Sequence, residues 1–152
     1  MTTNIFEQID KDYVQAYKAR ETERVTVLRL LKTAVKNRLV ELKRPGGVLS
    51  DEEMLDIVIK EGKQRQDSIE QFTAAGRTDL ADKEQKELDI IKEYMPKPFT
   101  PDQLDAVIEE VVTDIGATTS KDMGKVMSAL MPRCKGRVDG KVLSTKVRQR
   151  LQ

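Results

Sequence analysis

Apolar residues recur at intervals of three and four along this chain and form no alternating run, so its regular structure has to be helical. The clearest stretch places Leu28, Leu31, Val35, Leu39 and Leu42 on one stripe, with Arg24, Lys32, Lys36 and Lys43 among the remaining positions. It predicts a helix from about Glu21 to Lys43. Pro45-Gly46-Gly47 ends it, because proline cannot continue the hydrogen-bond ladder. Upstream, Ile5, Phe6, Ile9, Tyr13, Val14 and Tyr17 predict a helix from Ile5 to about Ala19, with Asn4 as N-cap.

Ser50-Asp51-Glu52-Glu53 has the spacing of a capping box and opens a third helix carrying Met54, Leu55, Val58, Ile69 and Phe72. Gly62 in its middle costs helix stability and points to close packing, and Gly76 closes the helix. Thr78 is expected to cap a fourth helix through Leu80, Leu88, Ile91 and Tyr94. The segment Met95-Pro96-Lys97-Pro98-Phe99 then forces an extended hinge, since residues before proline avoid the helical region. That hinge divides the chain into an expected domain of residues 1–95 and another of residues 96–152.

In the second domain Thr100-Pro101-Asp102-Gln103 restarts a helix with a capping threonine and a proline at the first helical position. Its buried stripe is expected to be Leu104, Val107, Ile108, Val111 and Ile115, with Gly116 as terminator. Ser120 is expected to cap a sixth helix with Met123, Val126, Met127, Leu130, Met131 and Cys134 inward and Lys121, Lys125, Ser128, Pro132 and Lys135 outward. Pro132 should kink or shorten its last turn, and Gly136 should stop it. Asp139 caps a last helix with Leu143, Val147 and Leu151 inward and Lys141 and Arg148 on the far side. The expected fold is all-α, four helices followed by three.

Composition narrows the chemistry. There is no histidine, which removes the commonest general base, zinc ligand and pH switch together. The single cysteine, Cys134, forms no internal disulfide and fits a reducing compartment; on its apolar arc it reads as an inert core thiol. Six aromatic residues and no tryptophan argue against base recognition on an aromatic platform. Gly124-Lys125 fails as a phosphate loop, because Thr119 stands at the first glycine position and Val126 follows the lysine. The acidic residues of 51–95, among them Asp51, Glu52, Glu53, Asp79, Asp82 and Glu84, lack metal-loop spacing and read as solvated helix faces. No catalytic residue, metal or cofactor is expected. Met1 to Asp10 is polar and acidic with no apolar leader, so the expectation is a cytoplasmic protein that does not meet the membrane.

The formal charge of +1 conceals segregation. Residues 1–50 carry 10 Lys and Arg against 6 Asp and Glu, and residues 51–95 carry 7 against 13. Residues 96–120 carry 1 against 5, whereas residues 121–152 carry 9 against 2. The basic end implies an anionic partner. Candidate phosphate-binding residues are Lys121, Lys125 and Lys135 around the small Gly124 and Ser128, continued by Arg133, Arg137, Lys141 and Arg148. Small residues beside lysines let a phosphate approach closely. The competing reading is a basic surface that neutralises the acidic helices of the same molecule.

Four stretches carry a family resemblance: ERVTVLRLLKTAVKN (Glu23 to Asn37), KQRQDSIEQFTAAGRTDL (Lys63 to Leu80), EYMPKPF (Glu93 to Phe99) and KDMGKVMSALMPRCKGRVDGK (Lys121 to Lys141). In them the chain resembles the YqeY family, small relatives of the tail domain of the B subunit (GatB) of the glutamine-dependent aminoacyl-tRNA amidotransferase. The resemblance implies an N-terminal helical domain particular to the family and a C-terminal three-helix domain similar to the GatB tail. That tail contacts the tRNA body, while glutamine hydrolysis and activation of the mischarged aminoacyl-tRNA occur elsewhere. GKVM (Gly124 to Met127) and KGRVDG (Lys135 to Gly140) are the nearest shared pattern, although GatB tails more often read KGxANP at the second. The expectation is a tRNA-binding accessory module, with amidotransferase subunits as further partners and no catalytic site of its own. Two other readings stand beside it. One is a protein-protein adaptor that uses the acidic N-terminal helices; the other, by kinship only, is a component of a carbon-nitrogen ligase with glutamine as amido-N-donor.

Overall fold

The computed structural model describes residues 4–152, and these contain seven α-helices, one short 3-10 helix and no strand. The described residues divide into two compact units between Met95 and Pro96. Met1 to Thr3, part of the stretch read as lacking a leader, lie outside the described residues.

In the first unit α1 spans Ile5–Ala19. The Asn4 side chain accepts the Glu7 N–H at 2.8 Å, the N-cap expected of it. After the left-handed Arg20 (φ 58°), α2 spans Thr22–Glu41. It stops short of the expected Lys43, because Lys43 itself turns left-handed (φ 58°) and the Arg44 N–H closes onto the Leu39 carbonyl at 2.8 Å. Pro45 therefore follows a helix that has already ended.

Helix α3 spans Asp51–Ala74 with both arms of the Ser50/Glu53 box present, at 3.2 and 3.1 Å. Helix α4 spans Thr78–Lys92. Thr78 does not cap it: Gly76 (φ 73°) turns the chain so tightly that Arg77 is the N-cap and Thr78 is already the first helical residue. Asp79 in that first turn pairs with Arg77 at 3.1 Å, which is the main cause holding its carboxyl below the usual range. Gly62 is buried where α3 meets α4; a Cβ there would stand 2.6 Å from the Met95 methyl, so the close packing expected of it is present. Ile9, Val27, Leu28, Leu31, Met54, Val58 and Ile91 fill the core of this unit.

In the second unit α5 spans Pro101–Ile115, capped by Thr100 and Gln103 in a complete box with Pro101 at the first helical position. Leu104, Ile108, Val111 and Val112 are buried. Ile115 departs from the expected stripe: it is the last residue of the helix and 38% exposed, and once Gly116 turns the chain Ala117 is buried instead. The next helix also begins differently. Thr119, not Ser120, is the cap, and Ser120–Asp122 forms a 3-10 turn ahead of α6, Met123–Cys134. The Thr119 hydroxyl accepts the Lys121 N–H at 3.3 Å, while the Asp122 carboxylate accepts the Thr118 and Thr119 N–H groups at 3.0 and 3.3 Å.

On α6 the buried residues are Val126, Leu130 and Cys134, whereas Met131 is 53% exposed and so lies off the core stripe assigned to it. The helix runs past Pro132 to Cys134. Gly136 (φ 74°) then reverses the chain. Helix α7 spans Gly140–Leu151, with the Asp139 side chain accepting the Lys141 N–H at 2.7 Å and Leu143, Val147 and Leu151 inward. Cys134 is buried, and that burial pushes its thiol pKa up, as suits an inert core residue.

Candidate nucleic-acid interface

The second unit carries 10 Lys and Arg against 7 Asp and Glu, so the net charge left after internal pairing is small and its position decides what the surface can meet. Part of the basic end is consumed internally. Helix α5 bears Asp105 and Glu109 one turn apart, and α7 answers with Lys146 and Arg150 at the same spacing. Lys146 Nζ lies 2.7 Å from Asp105, and Arg150 makes bonds of 2.6 and 2.8 Å to the two Glu109 oxygens. Arg150 is the first cause holding the Glu109 carboxyl below its ordinary range. Sequence reasoning misses these four residues, although matched acid and base pairs at helical spacing on two helices are there to be read.

The nine candidate residues separate by environment. Arg133 is 3.0 Å from Glu110, whose hydrogen bond raises the guanidinium pKa. Lys135 is half-buried and interacts within the protein. Arg137 is half-buried and works on the backbone: its Nε donates to the Lys97 carbonyl at 2.8 Å, and its guanidinium lies 3.8 Å from the centroid of the Phe99 ring.

Lys121, Lys125, Lys141 and Arg148 are different. All four are exposed, and none has a carboxylate at ion-pair distance among the described residues. Lys125 acts at longer range, its charge adding to the backbone N–H groups of Thr118 and Thr119 that lower the Asp122 carboxyl. Lys141 and Arg148 stand two turns apart on one edge of α7, away from the edge that pairs with α5. The 3-10 turn that carries Lys121 packs on α7, as does α6, so the four cations ride on neighbouring elements. Gly124 and Ser128 are exposed between them, and a Cβ at Gly124 would meet nothing within 4 Å.

Such an arrangement suits ionic and hydrogen-bonding contact with phosphates. Among the described residues no cluster of acidic or cysteine side chains is placed to hold a metal ion, and no helix is long and apolar enough to cross a membrane.

A family model described as Yqey-like protein matches residues 6–151. The chain is similar to "Altered inheritance of mitochondria protein 41, mitochondrial" of Saccharomyces cerevisiae, with 40% identity over 95 residues, 62% of this chain and 50% of that protein. The protein of the same name in Lachancea thermotolerans is 32% identical over 109 residues, 70% of this chain and 57% of the relative. In Candida glabrata the figures are 28% over 92 residues, 60% and 50%. The chain spans about half the length of the curated relatives it matches.

Proposed function

The chain belongs to the Yqey-like family, and from that premise we propose that it is a tRNA-binding accessory module whose second unit engages RNA phosphates. The observation that carries this reading is the set of exposed cations Lys121, Lys125, Lys141 and Arg148, which have no carboxylate at ion-pair distance among the described residues in a unit where Lys146, Arg150 and Arg133 do. Phosphate contacts fix a protein on RNA without reading its bases, which matches a surface poor in aromatic rings. In this proposal residues 96–152 act as a tail-like domain, and amidotransferase subunits are the natural companions. Any glutamine-dependent ligation then belongs to the companions. A reducing compartment such as the cytoplasm suits the buried thiol of Cys134; the yeast relatives carry "mitochondrial" in their names.

The test is binding of the intact chain to fluorescent bulk tRNA across a salt series, with polyphosphate as competitor. The proposal expects an affinity that falls linearly in log-log form with salt, each neutralised phosphate adding roughly 0.7 to 0.9 to the slope. It also expects tRNA to be preferred over polyphosphate of equal charge. Equal affinity for the two polyanions at physiological salt would overturn it.

A further inference from the structure

The first unit holds a cavity of about 350 Å3, open to solvent, between α1, α2 and the turn at Gly46, a size within the range of small-ligand sites. Its lining joins an apolar floor to a cationic wall. Phe6, Val35 and Leu39 supply the floor, while Arg29, Lys32 and Lys36 follow one another along a single edge of α2. Among the described residues no carboxylate lines it.

Tyr13 organises two of the three cations. Arg29 Nη2 donates to the Tyr13 hydroxyl at 3.3 Å, and Lys32 Nζ stands 4.6 Å from the centroid of the Tyr13 ring. Lys32 also pairs with Asp10 at 2.8 Å, and Lys36 is exposed with no ion pair among the described residues. With Asp10 set against the three cations, two positive charges are left among the residues that line the cavity. A carboxylate would neutralise one of them; a phosphate monoester, which carries close to two negative charges near neutral pH, matches both. The apolar floor asks that the rest of the ligand be hydrophobic.

We infer that this cavity binds a small phosphomonoester with an apolar body, its phosphate held by Arg29, Lys32 and Lys36 and its body laid on Phe6, Val35 and Leu39. The site lies in the first unit, so it stands or falls separately from the RNA reading of the second.

Phenyl phosphate is the probe, titrated into the intact chain at low salt and followed through the methyl NMR signals of Val35 and Leu39, with inorganic phosphate and phenol titrated in parallel. The expected result is a saturable shift with phenyl phosphate at a midpoint about tenfold or more below that of either fragment. In the double variant Arg29→Ala, Lys36→Ala, whose unchanged helical circular dichroism establishes folding, the midpoint should rise by about tenfold or more. Three results each overturn the inference: no saturable shift, a midpoint matched by inorganic phosphate or by phenol, or a midpoint unmoved in the folded double variant.

Discussion

Arg137 and Phe99 hold one another twice: the Phe99 N–H donates to the Arg137 carbonyl at 3.0 Å, and the Arg137 guanidinium stacks on the Phe99 ring at 3.8 Å. A third interaction, from Arg137 Nε to the Lys97 carbonyl at 2.8 Å, completes a clasp between the extended entry to the second unit and the turn that joins α6 to α7. An arginine that belongs to a basic run in the sequence thus has a structural task.

Replacing Arg137 by alanine should destabilise the second unit by about 1 to 2 kcal/mol, through removal of the stacked cation and a charge-assisted hydrogen bond. Arg137→Lys should restore little of this, since lysine offers no planar fork. Lys141→Ala should stay within about 0.5 kcal/mol of the parent. Urea unfolding checks all three, and equal midpoints for Arg137→Ala and Lys141→Ala would refute the clasp.

The unpaired and the paired cations of the second unit should respond oppositely to mutation. Alanine at Lys121, Lys125, Lys141 and Arg148 should flatten the log-log salt slope of tRNA binding by roughly 0.7 for each phosphate no longer neutralised, with the urea midpoint held. Alanine at Lys146 and Arg150 should lower the midpoint and leave the slope alone. An unchanged slope in the first variant would remove those four residues from the interface.

At Gly62 size is the variable. Alanine is expected to be tolerated, because only the flexible end of the Met95 side chain must move and alanine favours the helix. Leucine must displace Leu88 and Ile91 as well, and should cost about 2 to 3 kcal/mol by thermal unfolding. A leucine variant as stable as the alanine one would contradict the close approach of α3 and α4.

Tyr94 gives the first unit an alkaline limit. Its hydroxyl donates to Asp12 at 2.6 Å, and burial, followed by that carboxylate, raises its pKa well above the ordinary tyrosine range. A folded-state pKa above the unfolded one means that the native state keeps a proton the unfolded state releases. Its contribution to stability is therefore complete below about pH 10 and declines as the pH rises beyond that point. Tyr94→Phe should flatten the decline. Identical pH dependence of the two proteins in urea unfolding above about pH 10 would show that the buried phenol is not its source.

The helices are legible in the sequence because periodicity and capping are local. Asn4, Ser50, Thr100 and Asp139 all cap as their sequence contexts indicate. Thr78 and Ser120 mislead because each has a neighbour that the turn geometry prefers: the tight reversal at Gly76 carries Thr78 into its helix, and Thr119 takes the cap one residue early. Ile115 and Met131 mislead because burial depends on what lies opposite, which no single helix records. The same limit hides Arg65, which is nearly buried where α3 meets α4 with Glu61 at 2.7 Å and Glu87 at 3.4 Å. At the candidate interface the sequence locates the charge but cannot divide spent cations from available ones, since Glu110, Asp105 and Glu109 are brought to their partners only by folding.

Because Leu143, Val147 and Leu151 seat α7 in the core and Lys146 and Arg150 pair along one of its edges, the backbone that carries Lys141 and Arg148 is positioned before any visitor arrives. A polyanion that docked there would meet charges on a preformed helix, so the freedom surrendered on binding would be that of the side chains and not of the backbone. Such a surface gives up less on binding than one that must first be ordered, because the scaffold does not have to rearrange for each encounter.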